Sequence, residues 1–234
     1  MVRKTASTTP ADVFRDLAGE QPIAISIGSD YLTGSVAVPP APMAVVLIAN
    51  DVGCSRQRSG ERDLARALRR AGLATVLLDV LMPSEQAWPE VAALLRQKVE
   101  LLAKRVEAGR EWIRRQPQLA ALPVVLLGSG GAGPGCLLAA AARPRQLAAV
   151  VVRSSRPDLA GMALARIHTP VMLCIADGQV ADLRGNRAAF DLLDCGHRLL
   201  FVRGRSLDAP EAREQLANAV AAFTSSRLGV RCAA

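Results

Sequence analysis

A glycine-rich turn between an apolar strand and a small-residue helix is the part of the sequence closest to known chemistry. The apolar run 122–128 predicts a short buried strand, and a helix is predicted from Cys136 to Ala142. The turn 128–133 has the small flanking residues of the G-x-S-x-G turn, which presents a nucleophilic serine at the end of a strand. Its central position is Gly130. The sequence therefore predicts the architecture of a nucleophile-bearing turn without the nucleophile.

Neighbouring residues offer substitutes for the missing group. Ser129 could attack a substrate, but it would place the bulky Leu127 where such a turn needs a small side chain. Cys54 follows the first parallel strand and carries a thiol, although no nearby histidine is present to lower its pKa. Asp177, after a later strand, could orient a base. Ser129, Cys54 and Asp177 are therefore fallback catalytic candidates.

The histidines test for a catalytic triad without any alignment. A Ser-His-Asp site needs an imidazole at the carboxyl edge of the sheet, where the turn lies. The chain has two histidines, His168 and His197, and each precedes a predicted strand. A strand of five or six residues places them roughly 15 to 20 Å from the turn. Neither is therefore expected to act as a general base there.

The same turn satisfies a second pattern. Residues 128–133 fit G-x-G-x-x-G between a strand and a helix, the pattern with which dinucleotide-binding proteins hold a pyrophosphate. The next strand ends in Arg153-Ser-Ser-Arg156, from which arginines could reach a phosphate. The motif lies on a middle strand, however, and not in a first βαβ unit. A narrower hypothesis is that amides at this helix N-terminus, with Arg56 nearby, bind a small anion.

The candidate ligand-binding residues are those predicted at the mouth of the turn. They are Asn50, Asp51, Cys54, Arg56, Ser129 and Gly131. No histidine or cysteine pair has the spacing of metal ligands, so we predict no metal site. No cofactor is predicted either.

Length and composition limit the class of protein. Its 234 residues, half of them hydrophobic, suffice for one sizeable core and favour a single α/β domain. The formal charge of +8 comes from arginines scattered over amphipathic segments, with only three lysines. Such charges are typical of solvated helix surfaces, and 3% aromatic residues offer little stacking surface for single-stranded nucleic acid. We therefore predict no nucleic-acid partner.

Cysteine usage and hydropathy indicate the cellular compartment. The five cysteines show neither C-x-x-C spacing nor the framework of a secreted disulfide-rich domain, which indicates reduced thiols. The first twenty residues contain no apolar core of a signal peptide. No apolar run approaches the roughly eighteen residues that a membrane span needs. These features predict a cytoplasmic protein without a membrane partner.

Hydrophobic runs and amphipathic segments alternate along the chain, which predicts a mostly parallel sheet between helices, opened by an antiparallel strand pair. The predicted strands are 22–27, 31–38, 43–49, 73–79, 122–128, 147–153, 171–176 and 198–202, and the predicted helices are 60–71, 90–115, 136–142, 183–193 and 210–225. We assign a polar lead-in to 1–20, one domain to 21–226 and a tail to 227–234.

Several segments carry a family resemblance. The chain is similar to small bacterial α/β-hydrolases of the dienelactone hydrolase type over about residues 22–226. The segments that carry this resemblance are 43–79 with Gly53-Cys-Ser-Arg56, 122–128, Arg156-Pro-Asp-Leu-Ala-Gly161 and Asn186-Arg187. The resemblance implies the α/β-hydrolase fold and hydrolysis of a small ester or lactone by a Ser-His-Asp site.

The family's functional residues are absent from the matching positions. The serine nucleophile corresponds to Gly130, the acid falls at Gln179, and the histidine falls at about Leu207. The His-Gly pair that usually opens the oxyanion loop reads Asn50-Asp51. The resemblance therefore implies a degenerate triad.

Two classes of function remain open. The first is a catalytically inactive hydrolase-fold protein with a binding, assembly or structural role, through a protein partner, a homo-oligomer, or a small molecule or anion in the vestigial pocket. The second is a divergent hydrolase of small esters or lactones that uses Ser129 or Cys54. The missing imidazole favours the first. The predicted helix 90–115, with Leu94 and Leu95 among its charges, is a candidate contact surface.

Overall fold

The structure is a computed structural model that describes residues 19–51, 59–143, 147–177, 180–204 and 206–229. Within these ranges the strands are β1 Gln21–Ile27, β2 Asp30–Ala37, β3 Ala44–Asn50, β4 Leu73–Asp79, β5 Val124–Ser129, β6 Leu147–Arg153, β7 Val171–Ala176 and β8 His197–Val202. The α-helices are α1 Ser59–Arg70, α2 Pro83–Gln86, α3 Pro89–Leu95, α4 Val99–Arg115, α5 Ala132–Ala142, α6 Val180–Leu192 and α7 Pro210–Leu228, and a 3₁₀ helix spans Pro157–Arg166.

The strands form one sheet in the order β1-β2-β4-β3-β5-β6-β7-β8. β1 and β2 are antiparallel, and β2 is antiparallel to β4. All neighbours from β4 to β8 are parallel. The predicted mostly parallel sheet with an antiparallel N-terminal pair, flanked by helices, is confirmed. The glycine-rich turn follows β5, near the middle of the sheet.

The central strands are buried on both faces, which explains their unbroken apolar sequences. Because side chains alternate across a strand, consecutive residues of β3 pack into two separate cores. Leu47 belongs to the core beneath α4 and α5, and Val46 and Ile48 belong to the core beneath α1 and α7. Because β3, β5 and β6 are parallel neighbours, their carboxyl ends lie together at one edge of the sheet.

Two segments differ from the predicted elements around the turn. α5 begins at Ala132, earlier than the predicted Cys136, although glycine and proline are poor helix formers. The absence of a side chain at Gly133 permits close packing there, because an added Cβ would overlap Ser155 Oγ. The stretch after β6, for which the sequence predicted neither a strand nor a helix, forms the 3₁₀ helix, which is kinked at Gly161. Tertiary packing overrides local propensity at both places.

The prediction of one helix over 90–115 is wrong, because the chain breaks into α3 and α4 at residues 96–98. A straight helix of that length would extend about 39 Å. Strands of six to eight residues extend only about 20–26 Å. The turn keeps both segments on the sheet, with Ala92 of α3 and Leu102 of α4 in the same core. It also brings Arg96 to the carboxyl edge.

A partly buried ion pair between Arg105 and Glu85 holds α2 against α4 and makes stability depend on pH. Arg105, only 4% exposed, donates two hydrogen bonds to Glu85, at 2.7 and 2.6 Å. Burial raises the pKa of Glu85, but hydrogen bonds from Arg105 and from the Met82 amide outweigh it and lower the pKa below its ordinary value of 4.5. This carboxylate therefore stabilises the fold above that value, and the contribution is lost as pH falls through the lower folded-state pKa.

Glu85→Gln is expected to cost about 1–3 kcal/mol at pH 7, because Arg105 keeps its buried charge and loses its carboxylate partner. The difference from the unchanged protein should shrink as pH falls below 4.5. Urea unfolding followed by circular dichroism at pH 7 and at lower pH measures both effects. Glu90→Gln, at an exposed position of α3, is the control and should change little at either pH. A pH-independent effect of Glu85→Gln would contradict the assignment.

Candidate functional site

The turn after β5 has the backbone geometry of a nucleophile elbow. Gly130 adopts φ +58, a left-handed conformation that glycine reaches without steric cost. Strand and helix approach each other closely, since a Cβ on Gly128 would lie 2.7 Å from Gly133 Cα and 2.9 Å from Cys136 Sγ. Only small residues permit this approach. The elbow architecture predicted from the sequence is present, with glycine at its apex.

The carboxylate of Asp51 fills the space beside that apex. Asp51 follows β3 and is 2% exposed. A Cβ added to Gly130 would overlap its Oδ1 and lie 3.1 Å from its Cγ. Its Oδ2 accepts a 2.8 Å hydrogen bond from the Gly131 amide. In G-x-S-x-G turns the amide of this following residue is an oxyanion donor. Asp51 therefore occupies the nucleophile's space and also uses the oxyanion donor.

Other amides of the turn also have partners within the chain. The Gly130 amide donates to Ser154 O at 3.2 Å, and the Gly133 amide donates to Gly130 O at 3.3 Å. With Asp51 on the Gly131 amide, an external anion would have to displace a carboxylate to bind there. The carboxylate of Asp51 therefore lies at the position where the sequence suggested that a small anion from solution could bind.

Arg96 is a site residue that sequence reasoning missed. Its Nε donates to Asp51 O at 3.1 Å, and its carbonyl oxygen contacts Gly131 so closely that an added Cβ would overlap it. These contacts depend on the break between α3 and α4. No sequence pattern marks that break, because the hydrophobic periodicity continues across it.

Ser129 lies at the end of β5 and is 7% exposed. Its Oγ has no hydrogen-bond partner among the described residues, so none of them activates it as a base would. Asp177 is exposed after β7, two strands away and about 10 Å across the sheet. Asn50, 2% exposed, precedes Asp51 at the end of β3. The remaining candidates, Cys54, Arg56 and Gln179, lie outside the described residues.

The position at which the resemblance predicts the family's histidine, at about Leu207, lies in the core. Leu207 is fully buried and packs beneath α7. The next residue, Asp208, accepts a 2.9 Å hydrogen bond from Arg153 Nη1, and Arg153 Nη2 pairs with Glu61. Arg153 is 2% exposed. The buried Arg153 therefore joins β6 to α1 through the buried Glu61, and to the segment after β8 through the exposed Asp208.

This ion cluster also bears on the dinucleotide hypothesis. Arg153 uses its two terminal nitrogens on carboxylates of the same chain, those of the buried Glu61 and the exposed Asp208. Arg156 donates to Asp158 at 2.8 and 2.6 Å. Both arginines expected to meet a phosphate therefore have carboxylate partners. The sequence contains one indication of a structural role for Arg153, because this charged residue lies directly at the end of the apolar strand 147–153.

The histidines lie where the sequence placed them, at the amino edge of the sheet. His197 begins β8, with Nδ1 2.6 Å from Cys195 O and its ring 4.3 Å from Phe190 in an edge-to-face contact. His168 is exposed shortly before β7. A cavity of about 500 Å³ also lies at this edge, lined by Leu122, Pro170 and Arg227 among others. It is separated from the elbow by the length of the strands.

Two buried thiols give a test of the packing behind the elbow. Cys136 on α5 and Cys174 on β7 are buried, and burial raises the pKa of each to about 12. We expect neither to react with N-ethylmaleimide at pH 8 in the folded protein, since the thiolate is the reactive form. Peptide mass spectrometry before and after urea unfolding measures this, with the half-buried Cys195 as an intermediate reference. Rapid labelling of Cys136 in the native state would contradict the packing.

No group of three or more potential metal ligands occurs in the described part of the chain. Of the helices formed by these residues, none is long and apolar enough to cross a membrane.

Comparison with known proteins shows which folds resemble this one. No protein-family model matches the chain. A dienelactone hydrolase from Anabaena variabilis is 30% identical and superposes with a TM-score of 0.81, over 89% of this chain and 97% of that one. Est1E from Butyrivibrio proteoclasticus has the same fold, at 13% identity and a TM-score of 0.70, over 89% and 99% of the two chains.

Two Mycobacterium tuberculosis proteins, each named "Putative phosphoribosyl transferase", are 33% identical over 201 residues. The match covers 85% of this chain and 44% of theirs. The chain thus spans less than half the length of these relatives.

Proposed function

The chain belongs to the dienelactone hydrolase family of the α/β-hydrolase superfamily, and from this premise we propose that it is a member without hydrolase activity, retained for binding or assembly. The observation that carries the proposal is the Asp51 carboxylate on the Gly131 amide, in the space of the missing nucleophile. An oxyanion forming there would meet a negative charge instead of a free donor. Loss of a single oxyanion donor typically costs about 10²–10³ in kcat.

The missing base supports the same proposal. The family position of the histidine is the buried Leu207, and Asp208 beside it is paired with Arg153. General acid–base catalysis contributes about 10²–10⁴ in rate. Ser129 as an alternative nucleophile would need such a base, and the described residues give its Oγ none.

The test is labelling with a fluorophosphonate probe, together with turnover of p-nitrophenyl esters. We expect the purified protein, Gly130→Ser and the double variant Asp51→Gly/Gly130→Ser to show neither labelling nor turnover, because a restored hydroxyl would still lack a base. The Anabaena variabilis dienelactone hydrolase serves as the positive control. Turnover by the unchanged protein that is lost in Ser129→Ala or Cys54→Ala would establish the divergent hydrolase instead.

The binding role that we propose is association with a phosphoribosyl transferase module. The relatives named for that activity match this chain over 44% of their length, so most of each lies outside the hydrolase-like part. Fusion keeps two modules at high effective concentration, so even a weak contact between them is formed most of the time. We infer that this chain makes such a contact with a module of that kind. Purification of this chain from its own cells, with identification of co-purifying proteins by mass spectrometry, tests for that partner.

A further inference from the structure

We propose that β8, the strand at one outer edge of the sheet, pairs with the same strand of a second copy of this chain. β8 is last in the strand order and pairs with β7 alone. No other strand of the described residues lies on its outer side, so one row of its backbone groups has no partner within the sheet. Edges of this kind accept a further strand. The proposal concerns assembly of the chain with itself and goes beyond the function proposed above.

The hydrogen bonds between β7 and β8 show which backbone groups of β8 point outward. The carbonyl oxygens of Gly196 and Val202 accept bonds of 3.1 Å from the amides of residues 171 and 177, which begin and follow β7. The backbone groups of successive residues in a strand alternate between its two sides. The residues of β8 whose backbone groups point away from β7 are therefore His197, Leu199 and Phe201.

These outward groups are symmetric about Leu199, which makes the edge complementary to itself. In an antiparallel pair centred there, Leu199 faces its equivalent and His197 faces Phe201 of the second copy. Each of these facing pairs is of the hydrogen-bonded kind, in which the two residues exchange two bonds. The two copies are then related by a two-fold axis, the commonest symmetry of homo-oligomers.

The side chains on both faces of β8 suit this pairing. On the face beneath α6, Phe201 is 50% exposed, and opposite it would lie His197, whose ring contacts Phe190 edge to face. Cross-strand contacts between aromatic rings stabilise a sheet. On the other face, Arg198 would lie opposite Leu200 and not opposite its own equivalent, so the register avoids placing like charges against each other. A strand from another protein could form the backbone bonds, but these side-chain matches are specific to an identical strand.

The two outer strands of the sheet differ in their ability to accept a partner. β1 carries Pro22, which has no N–H to donate, whereas β8 has neither a proline nor an interruption of its register. The next outward amide beyond β8, that of Arg203, donates to Gln215 Oε1 at 3.1 Å. α7 therefore satisfies the edge after Phe201, and the three central positions are left for a second copy. These features assign the interface to β8 and not to β1.

The experiment measures molar mass by size-exclusion chromatography with light scattering, over a range of protein concentrations. We expect the unchanged protein to reach twice its chain mass of 24.7 kDa. Phe201→Pro removes an outward N–H and leaves the bonds to β7 intact, so it should stay monomeric. Phe201→Ser keeps the backbone and loses the aromatic contact in both copies, which should weaken the dimer about tenfold. Tyr31→Ser, at a position of β2 that is 47% exposed, is the matched control and should remain a dimer.

Circular dichroism establishes that each variant is folded, and Phe201→Ser decides the matter if Phe201→Pro is not. The inference is overturned if the unchanged protein is monomeric at every concentration, or if neither substitution of Phe201 weakens the dimer. Equal weakening by Tyr31→Ser would also contradict a specific role of β8, and a mass above that of a dimer would indicate that β8 pairs with a different surface. None of these results depends on the fluorophosphonate labelling, so this inference and the proposed lack of activity are tested separately.

Discussion

Arg153→Met is expected to destabilise the protein by about 3–5 kcal/mol, because it leaves a buried carboxylate without its cation. Arg153 is 2% exposed and Glu61 8% exposed, and they form an ion pair between β6 and α1. Asp208, the other partner, has a side chain that is 66% exposed and stays solvated without the arginine. Urea unfolding monitored by circular dichroism measures the loss.

Two further variants test whether the loss of stability in Arg153→Met comes from the buried charge of Glu61. Arg66→Met removes an arginine from an exposed pair, 2.6 Å from Asp63, and should cost less than about 1 kcal/mol. Glu61→Gln added to Arg153→Met should recover part of the loss, because no uncompensated charge then remains buried. Equal effects of Arg153→Met and Arg66→Met would mean that the cluster is no more than a surface ion pair.

Gly130→Ser, the substitution that returns the family's nucleophile, is expected to destabilise the fold by about 2–4 kcal/mol. One part is backbone strain at φ +58, about 1 kcal/mol for a residue with a Cβ. The larger part is the overlap of the new Cβ with Asp51 Oδ1. Gly28→Ser separates them, since Gly28 has φ +61 and nothing within 4 Å of an added Cβ. It should show the strain alone.

A double-mutant cycle with Asp51→Gly tests whether the carboxylate is the cause. Asp51→Gly removes the acceptor of the Gly131 amide and has a cost of its own. Combined with Gly130→Ser, it should give a loss smaller than the sum of the single losses by about 1–2 kcal/mol, as for residues in direct contact. Additive losses would show that Asp51 does not occupy the nucleophile's space in solution.

If the cycle behaves in this way, the elbow and its neighbouring loop have changed together. The resemblance predicts the glycine of the family's oxyanion loop at the position of Asp51 and the serine at the position of Gly130. The carboxylate of Asp51 fits because no serine side chain is present at position 130, and it accepts the hydrogen bond of the Gly131 amide. Active sites often retain a strained backbone because their function requires it. Here, in contrast, the contacts of the elbow would stabilise the folded protein and leave no room for a catalytic serine.

Much of the fold was accessible from local patterns. Apolar runs such as 73–79, 147–153 and 171–176 coincide with β4, β6 and β7, because strands buried on both faces need continuous hydrophobic sequence. The hairpin of β1 and β2 was accessible from its alternating residues and the Gly28 turn. Each of these patterns involves residues that are close together in the sequence, so it can be recognised without knowledge of the fold.

The sequence by itself also determined which side chain the apex of the elbow lacks and at which edge of the sheet the two histidines lie. Gly130 removes the hydroxyl of the elbow, and His168 and His197 precede strands, which places them at the amino edge in any parallel sheet of this order. Those conclusions need residue identity and chain direction only, and no knowledge of side-chain contacts.

The tertiary structure alone decided what fills the site. Asp51 reaches the Gly131 amide across 80 residues of sequence, and Arg153 reaches Glu61 across 92. The break at Arg96 was likewise decided by the tertiary structure, since the hydrophobic periodicity of 90–115 continues through it. Hydrophobic periodicity specifies local conformation and which face is buried. Pairing of charges and amides depends on which strand ends and helix ends meet in space, and this is set only when the sheet assembles.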